Sequence, residues 1–210
     1  MGERGWLIIP HWPNHGKTSD DGAMEFTVRP ATAADATDVV RINVRTWQSA
    51  YVGMVPDDVL AGLDEVMDER AERTRERWSS SAPRSFSTAV AEDGHGVVGF
   101  VTYGPYRVGQ SPEKLDPDVG EVLAIYVDPA RQGEGAGRAL LDAAVEAFRS
   151  DGVAEVRLWV LTENAPSRRF YERYGFRFDG QAHTYPMQRR DGSQVDLPEV
   201  RYTLAVDDRT

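Results

Sequence analysis

Three glycines at alternate positions, Gly133, Gly135 and Gly137, interrupt the segment VDPARQGEGAGRALLDAAVEAF, residues 127–148. A strand-forming run precedes them. An amphipathic helix follows, with Leu140, Leu141, Ala144, Val145 and Phe148 on its apolar face. Glycine weakens helices and strands alike, so three at this junction point to a use for bare backbone. A helix start leaves its first N–H groups unpaired, and the helix dipole adds partial positive charge there. With no side chains in the way, those donors can close on a bulky anion. The segment is shaped for a phosphate or pyrophosphate.

Two familiar phosphate motifs do not fit. A P-loop continues from its last glycine into Lys and Ser or Thr, whereas Arg138 and Ala139 follow Gly137. A dinucleotide fingerprint needs a small residue three after its second glycine, and that position is Arg138. Asp128-Pro129 also puts a turn between strand and glycines. On glycine count alone, a plain flexible loop and an anion cradle stand as equal readings.

The elements that must carry this loop can be read in order. FTVRP is a short strand, and Thr32 to Asp35 has the form of a capping box. A helix follows with Val40, Val44, Trp47 and Tyr51 on one stripe, ended by Gly53. A second helix opens at Pro56 and runs on through the charged DERAERTRERW, a solvated face. SFSTAVAED and GVVGFVTYG form an antiparallel pair, and RVGQSPEKLDPD is a loop. VGEVLAIYV is apolar on both faces and belongs in the sheet interior. After the glycine segment come the strand AEVRLWVLT, the short helix APSRRFYERYGF and a last strand VRYTLAV. The order predicts an α/β fold, a mixed sheet covered by helices.

Composition narrows the partners. The net charge is −10, from 24 basic and 34 acidic residues. Gripping nucleic-acid phosphates needs clustered Lys and Arg, so nucleic acid is not an expected partner. No apolar run is long enough to span a membrane, and none is expected. Cysteine is absent, which excludes disulfides, thiolate metal sites and a cysteine nucleophile. A cytoplasmic location is the expectation. Residues 1–23 are polar, turn-rich and aperiodic, so a flexible tail is expected, with one domain over 24–210. His11 and His15 have a metal-like spacing, but Pro13 and Asn14 between them prevent a helix from aligning the rings. No metal is expected.

Two blocks carry a specific resemblance. Gln132-Gly133-Glu134-Gly135-Ala136-Gly137 is similar to the [QR]-x-x-G-x-[GA] signature of the GNAT superfamily of acyl-CoA-dependent N-acetyltransferases. ENAPSRRFYERYGF, residues 163–176, resembles its second signature, an Asn and a small residue before F-Y-x-x-x-G-F. TWQSAYVGMVP resembles, more weakly, the first-helix region of one subgroup. The resemblance covers about residues 25–206. It implies a central mixed sheet flanked by helices, with the fourth and fifth strands splayed apart. It also implies acetyl-CoA as cosubstrate.

By that resemblance, the N–H groups of Gln132, Gly133, Gly135, Ala136, Gly137 and Arg138 receive the pyrophosphate of coenzyme A. Arg131 and Arg138 add charge toward it, or else form surface ion pairs. Ile125, Tyr126 and Val127 contact the thioester arm beside a bulge in their strand, which unbroken apolarity there cannot confirm. Glu121 matches a general base, against the alternative of a solvated strand end. Tyr171 matches the general acid, against a core aromatic. Asn164 matches a contact to the pantetheine arm, and equally suits a helix cap. The acceptor pocket is implied between Trp47–Leu63 and Gly180–Leu197, with Trp47, Tyr51, His183 and Tyr185 as candidate lining, although core packing accounts for Trp47 and Tyr51 equally well. His95 sits in a hairpin turn with no implied role. The implied reaction moves an acetyl group to a primary amine of a small molecule or peptide, and the acidic body suits a cationic acceptor. A homodimer is common among such proteins. Two rivals stand beside this: a non-catalytic acyl-CoA sensor on the same fold, and an unrelated nucleotide-binding domain.

Overall fold

The computed structural model describes residues 26–206 except Pro83 and Arg190. The segment 1–23, with His11 and His15, lies outside the described residues. The elements are β1 (Thr27–Pro30), α1 (Ala36–Ala50), α2 (Asp57–Ala61), α3 (Met67–Ser79), β2 (Ser87–Asp93), β3 (Gly96–Arg107), β4 (Leu115–Val127), α4 (Ala136–Ser150), β5 (Glu155–Leu161), α5 (Ala165–Tyr174), β6 (Arg177–Gln188) and β7 (Gln194–Ala205). The strands form one seven-stranded sheet in the order β1-β2-β3-β4-β5-β7-β6. Every pairing is antiparallel except β4 with β5.

The apolar face of α4 explains how one side of the sheet is covered. Leu140, Leu141, Ala144 and Phe148 are fully buried and pack on Ala89, Val101, Val122 and Val156. Burying a side chain of Leu or Phe size contributes about 1.5–3 kcal/mol. Truncating Leu141 to Ala would cost about 2–5 kcal/mol. The other side is closed by α1 and α3, with Val39 and Ile42 against Val90 and Phe100. The α1 start is fixed locally: Thr32 N–H donates to Asp35 Oδ2 at 2.7 Å, and Arg29 holds both Asp35 oxygens at 2.8 Å.

Three features differ from the sequence reading. The second helix is two helices, α2 and α3, separated by a turn over 62–66. Leu60 packs with Val55 and Leu197, whereas Ala71 packs with Val40 and Val44, and Gly62 permits the break between these two clusters. The stretch RVGQSPEKLDPD is only partly loop. After a bulge at Pro105/Tyr106, β3 and β4 pair again through Tyr106↔Asp116 and Arg107↔Leu115. Finally, β6 is a full strand over a stretch to which the sequence assigns no element. It is an edge strand exposed at most positions, so it carries no alternating pattern to detect.

Candidate active site

The site is set by how β4 leaves β5. Their parallel ladder holds only at Gly120↔Val156, Glu121↔Arg157 and Val122↔Leu158. Beyond Val122 the two strands part, while β5 stays paired with β7 along its whole length. The cause is visible in β4. Opposite β3, Thr102 pairs with Ala124 and the next residue, Tyr103, pairs with Val122, so Leu123 is an extra residue. The bulge shifts the facing pattern. Val122 packs on the α4 side, Leu123 lines a cavity of about 520 Å³ under Trp78 and Phe86, and Ala124 packs with Phe100 and Trp78. From there Ile125 and Val127 face α4, and Tyr126 faces α1.

At the end of β4 the chain makes a short turn over Pro129–Arg131, tied by Ala130 N–H to Asp128 Oδ1 at 3.0 Å. Gly133 and Gly135 then take φ of 86° and 101°. A side chain in this left-handed region is strained, which accounts for glycine at both. Gly135 caps α4, and the first bond across that boundary is Ala139 N–H to Gly135 O at 3.1 Å. Among the described residues, the N–H groups of 132–138 have no backbone partner. They form an open row of donors at the positive end of a fifteen-residue helix. Gly137 has ordinary helical φ, yet a Cβ on it would stand 3.6 Å from both Val127 and Phe170. The donor row, the free end of β4 and helix α5 therefore converge there.

The two arginines beside the row differ. Of its two readings, Arg131 takes the ion pair: it is bound to Asp93 at 2.6 Å and Glu134 at 2.8 Å, bracing the turn. Arg138 is largely exposed, 3.7 Å from Asp142 and over the Tyr174 ring.

On α5, Asn164 is buried and its side-chain oxygen accepts Ser167 N–H at 3.2 Å, a helix cap. Tyr171 is buried beside Phe170 and Phe176, and its hydroxyl makes no hydrogen bond among the described residues. Burial, with the nearby Tyr126, pushes its hydroxyl far above the usual phenol range.

Glu121 is buried, not at a solvated strand end. Arg107 donates its main-chain N–H to Oε2 at 2.8 Å and its guanidinium to Oε1 at 2.7 Å. Both oxygens are engaged, so direct proton withdrawal by Glu121 requires breaking this grip.

The implied acceptor segments do meet. Trp47, Tyr51, Val55, Leu60, Met187 and Leu197 form one cluster between α1, α2 and the β6–β7 hairpin. Trp47 donates its indole N–H to the Tyr126 hydroxyl at 3.0 Å, and Tyr51 stands 3.4 Å from the same oxygen. Tyr185 is exposed on β6. His183 lies edge-on to Trp159 and 3.1 Å from the Gln110 amide nitrogen, which also donates to Glu199 at 3.0 Å. Gln110 and Glu199 were not anticipated. They lie 89 residues apart, and no local pattern joins them. Burial raises the Glu199 carboxyl, opposed by Gln110, His183 and Arg107. No helix among the described residues is long and apolar enough to cross a membrane.

With this geometry in view, the profile of the Acetyltransferase (GNAT) family matches residues 46–176. The chain belongs to this family. It is 34% identical over 148 residues to the Bacillus subtilis protein called uncharacterized N-acetyltransferase YuaI, covering 70% of this chain and 78% of that one. It is 38% identical over 107 residues to mycothiol acetyltransferase of Kocuria rhizophila, but this spans half of the present chain and only 33% of the relative. Among solved structures it resembles the PaiA N-acetyltransferase of Thermoplasma acidophilum in complex with coenzyme A. That likeness has a TM-score of 0.62 at 19% identity, over 84% of this chain and 98% of the other. The GNAT chain is thus an acetyltransferase, with the mixed sheet and parted β4/β5 pair of its fold.

Proposed function

We propose that this GNAT chain moves an acetyl group from acetyl-CoA to a primary amine of a small molecule or peptide, by direct attack within a ternary complex. The observation that carries the reading is the convergence at Gly137. An open row of main-chain donors, an unpaired strand edge and the Tyr171 helix meet where a long phosphate-bearing thioester would need all three.

The row at 132–138 suits the diphosphate, and the exposed Arg138, held only loosely by Asp142 at 3.7 Å, can turn toward it to add charge. The unpaired edge of Ile125, Tyr126 and Val127 suits a strand-like amide arm, which Asn164 can meet with its amide N–H while its oxygen caps α5. Acetyl transfer breaks a C–S bond and leaves a thiolate that needs a proton. Tyr171 keeps its hydroxyl protonated and unengaged, which suits that donor role. Trp47, Tyr51 and Tyr185 offer an aromatic wall to the acceptor, with His183 and Glu199 beyond. In a chain of net charge −10, this favours a cationic amine.

The test is thiol release from acetyl-CoA across a panel of amines, with calorimetry of coenzyme A binding alongside. Binding heat with turnover on basic amines, faster at low salt than at high, supports the reading. Binding without turnover on any amine turns it toward an acyl-CoA sensor. Stabilisation by ATP or NAD but not by coenzyme A would overturn it.

A further inference from the structure

Gln110 is the one non-glycine residue with positive φ among the described residues, at 59°. Holding a side chain in this left-handed region costs about 1–2 kcal/mol, and such strain persists where the surroundings demand it. The surroundings here are specific. Gln110 sits in the turn between β3 and β4 and reaches across to His183 on β6 and Glu199 on β7. Those two residues are themselves direct neighbours in the β6–β7 ladder. A glutamine amide nitrogen carries two N–H donors and no acceptor. Facing both partners, it donates to Glu199 Oε2 and can donate to His183 Nδ1 when that nitrogen is bare, the arrangement in which the ring carries its proton on Nε2.

This clamp overlooks the aromatic wall. Glu199 stands two residues along β7 from Leu197, on the same face of the strand, and Leu197 packs in the cluster that holds Trp47 and Tyr51. The groups facing it are His183 from β6, Arg107 from β3, Glu121 from β4, Gln110 from the turn, Tyr51 after α1 and Tyr126 from β4. Arg107 is closed on Glu121, which among the described residues leaves the Glu199 carboxylate at this wall without a guanidinium hydrogen-bonded to it.

We propose that Glu199 takes the proton from the acceptor amine, and that Gln110, held in a strained turn between Glu199 and His183, is the residue that positions it. The proposal rests on the acetyl-transfer reading above. The amine arrives as an ammonium, gives one proton to Glu199, and attacks the thioester carbonyl with its freed lone pair. The C–N bond forms and the C–S bond breaks. The thiolate takes a proton from Tyr171, and the second nitrogen proton returns to that phenolate through solvent. Glu199 then releases its proton to water, so one proton leaves per turnover. A carboxylate kept poorly solvated is a better base than an exposed one, and burial raises the Glu199 carboxyl in that sense.

The test uses the full chain with acetyl-CoA and an amine that the wild type acetylates in the panel. Glu199→Gln is expected to lower kcat by about 10²-fold or more and to remove the acid limb of kcat/KM, with coenzyme A binding unchanged. Gln110→Gly suits the left-handed backbone, so the fold is kept while the clamp is lost. Donation from Gln110 favours the charged carboxylate, so its loss should move the acid limb up by about one pH unit. A merely structural glutamine would not move that limb. In the wild type, nitrogen NMR should find the His183 proton on Nε2 at neutral pH. A wild type that turns over amines while Glu199→Gln keeps its rate and acid limb overturns the base. An unmoved limb in Gln110→Gly, or a proton on Nδ1 of His183, overturns the clamp. No turnover of any amine by the wild type sinks the acetyl-transfer reading, and this proposal with it.

Discussion

The Glu121 carboxylate is closed on the Arg107 guanidinium at 2.7 Å, one residue before the last rung that joins β4 to β5. Glu121 is almost wholly buried and Arg107 about a quarter exposed. The pair pins the end of β3 to the point where the sheet opens. Removing one partner leaves the other uncompensated, at about 2–4 kcal/mol for a pair of this exposure. Glu121→Ala and Arg107→Ala should each lower the unfolding free energy read from urea melts by that amount, and the double change to apolar residues should recover much of it. A Glu121→Gln chain with an unmoved midpoint but kcat reduced a hundredfold would instead place Glu121 in the chemistry.

The glycines of the donor row separate into two kinds. Gly133 and Gly135 have left-handed φ, so Ala at either should cost about 1–2 kcal/mol in unfolding. Gly137 has neighbours only at 3.6 Å from a new Cβ and ordinary helical φ. Gly137→Ala should therefore stabilise α4 by about 0.5–1 kcal/mol. The added methyl stands at the meeting of the row with Val127 and Phe170, so coenzyme A affinity should fall, on the order of tenfold. Thermal melts and calorimetry on the same protein read the two effects. Gly137→Ala with unchanged affinity would show that the ligand does not approach at Gly137.

What the sequence disclosed follows from distance along the chain. The glycine row and its helix were legible because the glycine spacing and the α4 stripe from Leu140 to Phe148 are local; the positive φ at Gly133 and Gly135 came only with the structure. The bulge at Leu123 was not, because Val122 to Val127 are all apolar or aromatic and a shift of face leaves no trace. Arg131 read equally as a phosphate contact or an ion pair, because its partner Asp93 lies on a distant strand. Glu121 read as a general base or as a solvated strand end, and its burial against Arg107 was not legible, because Arg107, 14 residues earlier, returns beside it only through the β3–β4 pairing. Gln110 stood in a run of turn formers, and only the tertiary fold sets it against His183 and Glu199.

Strong acid should weaken the start of α1. Arg29 and the Thr32 hydrogen bonds hold the Asp35 carboxyl down to about 2, against an ordinary value near ~3.9. A carboxyl depressed in the folded state contributes stability that is full above the ordinary value and is lost as pH falls toward 2. The contribution is about 1–2 kcal/mol after allowing for the partly exposed Arg29. Asp35→Asn should therefore lower the urea midpoint at pH 7, and the difference from wild type should vanish between pH 4 and about 2. An equal difference at both ends of that range would show that the loss is packing rather than charge.

Tyr171 gives the sharpest separation of chemistry from packing. Its ring packs on Phe170 and Phe176, while its hydroxyl has no partner among the described residues. Tyr171→Phe keeps the ring and removes only the hydroxyl, so the melting temperature and coenzyme A affinity should stay as they are. If the hydroxyl protonates the leaving thiolate, kcat should fall by about 10²-fold with KM for both substrates little changed. The pH dependence adds a second constraint. Burial raises the hydroxyl far above the ordinary phenol value near ~10, so it holds its proton as pH climbs. The kcat of the wild type should show no alkaline fall from this group up to pH ~10. A fall centred below pH ~9 that disappears in Tyr171→Phe would mean the hydroxyl is solvated in the working enzyme, against the burial seen here.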